Sequence, residues 1–182
     1  MQRRKIFRAA GAFADALDRA VSGLSLLFGR VALPLIVALG AGLVLGRHLR
    51  IGAAADLKEL ESVLFLGLVM FSIGYAYLRD AHVRVDLASH RFPVRLRAAI
   101  EIAGCVAVVV PFCCVLIWYG GDSAWRSFLQ GERLPAGDLP LQWLVRMAVP
   151  LGALLLLAAG AAIALRSLLT LVADRAAGGA RS

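Results

Sequence analysis

The chain has 182 residues, long enough for one ordinary domain, yet 60% of them are hydrophobic and the mean hydropathy is +0.79. Counted with Gly in place of Tyr, 125 of 182 residues are apolar, against about 45–50% in soluble domains, a surplus that a 19.3 kDa globule cannot hide. A soluble fold is excluded in favour of a lipid-embedded one. The formal net charge of +8 requires no nucleic-acid partner, because anionic lipid on the cytoplasmic face attracts such a chain.

The first predicted element is a helix over residues 3–22. Ile6, Ala10, Phe13, Leu17 and Val21 recur at spacings of three and four, while Arg4, Arg8, Asp15 and Arg19 occupy another face. That pattern suits an amphipathic helix lying on the membrane surface, or a solvated helix packed on its own protein. About thirty residues precede the first apolar core, which argues against a secretory signal peptide.

Four runs then carry no Asp, Glu, Lys, Arg or His: 31–46, 62–78, 102–121 and 147–165. Their 72 residues contain none of the 32 formal charges. About 20 residues are needed to cross ~30 Å of hydrocarbon, so the two shorter runs extend past charges at one end. Arg30 snorkels in one case, and Lys58, Glu59 and Glu61 lie near an interface in the other. The expected spans are about 24–46, 57–78, 98–120 and 139–165, with a tail over 166–182. The fold class is an all-α membrane protein, a single membrane domain of four transmembrane helices preceded by an amphipathic interfacial helix.

Orientation follows from the 20 Lys and Arg residues. Fourteen fall before the first span or its charge-free core, between the second and third spans, or after the fourth; Arg47, Arg50, Lys58, Arg126 and Arg133 fall on the other side, and Arg146 lies within the fourth span. Both termini and the 79–97 loop are therefore expected in the cytoplasm, and segments 47–56 and 122–138 outside.

Chemistry is sparse. Cys105, Cys113 and Cys114 all fall in the third span without a metal-ligand spacing and read as packing residues. His48, His82 and His90 cannot share one depth in the bundle, which argues against a bis-histidine haem, and no phosphate loop, nucleophile elbow or zinc motif is present. No catalytic residue, cofactor or metal site is assigned, and an enzyme is not expected. Ala38, Gly42 and Gly46 form a small-xxx-small stripe on the first span. Ala148 and Gly152 begin a similar row on the fourth, interrupted by Leu156. Glu61 and Arg146 are close in depth and could pair, with Glu59 as substitute acid and snorkelling as the alternative. In the outer segments Arg50, Trp125, Arg126 and Arg133 could dock a soluble partner, although aromatics at that level also mark the headgroup boundary.

Two segments carry a resemblance. After the second span comes Arg79-Asp80-Ala81-His82-Val83-Arg84-Val85-Asp86-Leu87, and the fourth opens with Leu139-Pro140-Leu141-Gln142-Trp143, followed by Val149-Pro150-Leu151-Gly152. With four helices and both ends inside, residues 31–165 resemble the small membrane subunit, DctQ-like, of tripartite ATP-independent periplasmic (TRAP) transporters. Read from the residues alone, Arg79, His82, Arg84 and Asp86 form a polar loop that either binds a neighbour's edge or only fixes topology. The resemblance implies a multi-pass protein of the bacterial inner membrane, with a large TRAP membrane subunit and a periplasmic substrate-binding protein as partners. It implies that the large subunit holds the substrate and sodium sites, that the substrate is a small organic acid, and that this chain braces the large subunit without catalysis. A membrane anchor of a redox or other multi-subunit complex is the alternative.

Overall fold

The computed structural model describes residues 2–48, 54–79, 94–135 and 139–178. Among them there is no strand, and four helices follow one another: α1 Gln2–His48, α2 Ala54–Leu78, α3 over 94–130, and α4 Gln142–Gly178. Each contains a stretch long and apolar enough to cross a membrane, as the four charge-free runs require. The chain is an all-α membrane protein with four candidate spans.

α1 joins two elements that the sequence separates. The amphipathic segment 3–22 and the first span run together in one uninterrupted helix. An interfacial course would need a turn between them, and instead the segment lies along α4. Ala14, Val21, Ser22 and Ser25 are buried, and Asp15 and Asp18 bond Arg166 of α4 at 2.9 and 2.8 Å. Pro34 sits inside α1; lacking an N–H, it leaves the carbonyl of Arg30 without its usual intrahelical donor.

α3 is built in three parts: α-helix Val94–Gly104, a π-turn Cys105–Val109, and α-helix Val110–Gln130. The cause of the wide turn is Pro111, whose ring would strike the carbonyl of Ala107 in a regular helix. Widening the turn, with the Val110 N–H donating to the Cys105 carbonyl five residues back, relieves the crowding. The helix ends at Gly131, whose φ of 59° and ψ of 34° close a left-handed cap with its N–H on the Phe128 carbonyl. Residues 122–130 of the expected outer segment are therefore helical.

α4 is the keel. It packs against α1, α2 and α3, and α1 and α2 also pack on each other. The core centres on Cys113, Ala153 and Leu156, with Ile73, Tyr77 and Leu116 against it. Two glycines bring α2 and α4 into backbone contact. A Cβ on Gly74 would lie 2.9 Å from the Leu155 carbonyl oxygen, and one on Gly152 would lie 2.9 Å from the Met70 carbonyl oxygen. The Ala148–Gly152 row is thus a working interface inside the chain. On the flank of α1, Phe28 stacks on Phe71 with ring centroids 4.5 Å apart.

Candidate partner-binding surface

Charged and polar side chains gather in two belts, one at each end of the bundle. At the end bearing both termini, Arg166 reaches Asp15 and Asp18, the Ser22 hydroxyl donates to Asp18 at 3.1 Å, and the Ser167 hydroxyl donates to Glu101. Arg79 closes α2 at this level, its guanidinium 5.4 Å from the centroid of the Tyr75 ring. At the far end, Arg146 bonds Glu132 at 2.6 Å and donates to the Ser123 hydroxyl at 3.1 Å, while Ser127 donates to the same Glu132 oxygen at 2.8 Å. Lys58 meets Glu61 at 3.3 Å and Arg126 meets Asp122 at 2.9 Å.

The spacing between belts matches a bilayer. Glu61 to Arg79, Glu101 to Asp122, and Arg146 to Arg166 are separated by 18, 21 and 20 residues, or about 27, 32 and 30 Å at ~1.5 Å per residue, against ~30 Å of hydrocarbon. On α1 the same interval runs from Asp18, in the termini-side belt, to Gly40, where a Cβ would lie 3.4 Å from Glu61. Arg30 falls near its middle, 12 residues from Asp18 and 10 from Gly40. The sequence places Arg30 at a span edge because the charge-free run begins beside it. The register of α1 against α2 moves it to mid-depth, where an Arg costs about 2.5–3.5 kcal/mol on insertion scales.

The Glu61–Arg146 pair expected from depth is not the one formed. The two residues do share the far belt, but Glu61 turns toward α1 at Gly40 and Arg146 toward α3 at Ser123. Depth along a helix leaves its rotation open, and Arg146 finds Glu132, which the cap at Gly131 turns back toward α4. Glu132 was not foreseen; its signal was the Gly131 helix stop one residue before it.

The other candidate residues divide. A Cβ added at Gly42 or Gly46 would meet nothing of the chain within 4 Å, though Gly46 itself is buried and Gly42 half-buried. Trp125 is 59% exposed and stacks on Phe128, whose ring meets Trp143 edge-on at 5.6 Å. Arg126 is held by Asp122, and Arg133 lies exposed in the connection after α3. Arg50, His82, Arg84 and Asp86 lie outside the described residues. Cys105 and Cys113 are buried and Cys114 exposed, and among the described residues no cluster of His, Cys, Asp and Glu could hold a metal.

Large apolar side chains stand open along α1 and α3, among them Leu27, Val37, Leu45, Val108, Phe112 and Trp118. Such faces suit lipid or another membrane protein. Comparison with curated proteins and with solved structures finds no match. The family model for the DctQ component of tripartite ATP-independent periplasmic transporters matches residues 35–171, a stretch that runs from the last third of α1 through most of α4, and the chain belongs to that family.

Proposed function

We propose that this chain is the non-catalytic small permease subunit that braces the large membrane subunit of a TRAP transporter. In this reading it lies in the bacterial inner membrane with both termini cytoplasmic. The large subunit carries out sodium-coupled uptake of a small organic acid delivered by a periplasmic binding protein. The family match over 35–171 carries the reading.

The mechanics of the bundle support it. A brace must deform less than the part that moves against it. α2 and α4 are keyed backbone to backbone at Gly74 and Gly152, and the Arg166 and Arg146 clusters tie the ends of the helices together. With α4 sheltered, α1 and α3 form the flanks, and the Gly42 and Gly46 stripe, where an added Cβ would meet nothing of this chain, leaves room for a close backbone approach by a neighbour. The test is co-expression of a tagged chain with the large membrane subunit of the TRAP transporter from the same genome. Stoichiometric co-purification, and loss of uptake when this chain is withheld, are the expected results. Recovery of the chain alone, with uptake undiminished in its absence, would remove the bracing role.

A further inference from the structure

Of the charged residues in the described chain, Arg30 alone stands between the two belts. It is exposed, and no described carboxylate lies within ion-pair distance of it. Beside it a groove of about 440 Å³ opens between α1 and α2, with Gly29, Leu33 and Leu68 on its walls and the hydroxyl residues Ser72 and Tyr75 along it. Intramembrane ionisable residues ordinarily face a protein interior or a polar partner. This one faces outward, beside a groove that the chain itself leaves unfilled.

We propose that the groove receives a helix of the large transport subunit carrying a carboxylate at mid-membrane depth, with Arg30 as its counter-ion. This rests on the proposed assembly with that subunit and adds the chemistry of the contact. Three observations select this occupant. A lipid phosphate sits at headgroup level, about 15 Å from the bilayer centre, too far from a guanidinium leaving its helix at mid-depth. A second copy of this chain brings no acid, because none of its described Asp or Glu residues lies between the belts. Finally, a Cβ on Gly29 would meet only the Leu68 Cδ1 at 3.8 Å, so the α1 backbone is open to close approach there. Pro34 leaves the Arg30 carbonyl available to a donor on the incoming helix.

The experiment compares Arg30→Leu, Arg30→Lys and Arg30→Glu chains co-expressed with the large subunit. Loss of the counter-ion strands a carboxylate on the partner, so Arg30→Leu should lower recovery of the complex at least tenfold and Arg30→Glu further still. Arg30→Lys should retain most of it. Yield and melting temperature of the Arg30→Leu chain expressed alone should equal or exceed those of the unmodified chain, which separates lost pairing from misfolding. A photo-crosslinking residue at Leu33 should capture the co-expressed large subunit. An Arg30→Leu complex recovered as well as wild type, or a crosslink to phospholipid alone, would overturn the inference while leaving the bracing role standing. If the unmodified chain failed to assemble, both would fall.

Discussion

Arg146 illustrates how a membrane protein spends polarity sparingly. Its side chain, 34% exposed, takes Glu132 at 2.6 Å and Ser123 at 3.1 Å, so the far end of α4 is bolted to the end of α3. Removing either member leaves a half-buried charge with an incomplete shell. For a pair this accessible the cost is about 1–2 kcal/mol. Glu132→Gln and Arg146→Leu should each lower the melting temperature of the purified chain, and in a double-mutant cycle they should couple by more than ~0.5 kcal/mol. Glu61→Gln with Arg146→Leu should be additive, since Glu61 is engaged with Lys58 beside α1. Coupling of Glu61 to Arg146 instead would contradict the observed pairing. The depth of Arg146 could be read by counting residues from Pro140. Its partner could not, because Glu132 reaches it only through the left-handed turn at Gly131.

The helices were the most legible part of the chain, and their mutual register the least. Charge-free runs of 16 to 20 residues mark spans because charges cannot be left in hydrocarbon without a partner, whatever the tertiary arrangement. Register depends on side-chain contacts between distant segments. Ser25 donating to the Phe71 carbonyl and Glu61 lying against Gly40 slide α1 along α2 and carry Arg30 from a span edge to mid-depth. Small-residue rows are equally ambiguous in sequence. The Ala148–Gly152 row, which Leu156 interrupts, packs inside the chain, whereas the longer Ala38–Gly42–Gly46 stripe leaves room for a Cβ at either of its two glycines. Gly74→Val or Gly152→Val should therefore destabilise the isolated chain by about 1–3 kcal/mol, because the obstructing atoms are backbone and cannot swing aside. Gly42→Val and Gly46→Val should leave its melting temperature unchanged and weaken assembly with the large subunit. Thermal unfolding of the chain alone beside co-purification of the complex separates the two classes. If Gly152→Val melted like wild type, the α2–α4 contact would not be as close as described.

The two charge belts turn four helices into a slab about one bilayer thick, and the division of Lys and Arg makes a testable prediction of which face is cytoplasmic. With Arg30 at mid-depth, 13 such residues remain on the side of both termini against five on the other, so reporter fusions at Arg91 and after Ser182 should behave as cytoplasmic, and one at Gly131 as periplasmic. Reversed labelling would invert the slab and remove the far belt from any periplasmic partner. Given that orientation, the far end presents an aromatic group, Trp125 on Phe128 with Trp143 edge-on, together with Arg126 and Arg133. Arg126 is already engaged by Asp122 at 2.9 Å, so a binding protein would gain little from it. Trp125, 59% exposed, has its contact area still to give, and interface energy concentrates in such aromatics. Trp125→Ala should thus lower uptake on the order of tenfold, Arg126→Ala much less, and both should leave the complex with the large subunit intact. A headgroup-anchoring role predicts the opposite pattern, in which Trp125→Ala reduces membrane insertion or assembly and uptake falls only in proportion. Measuring uptake per assembled complex for the two variants decides between docking and anchoring: undiminished uptake per complex in Trp125→Ala would place the binding protein elsewhere.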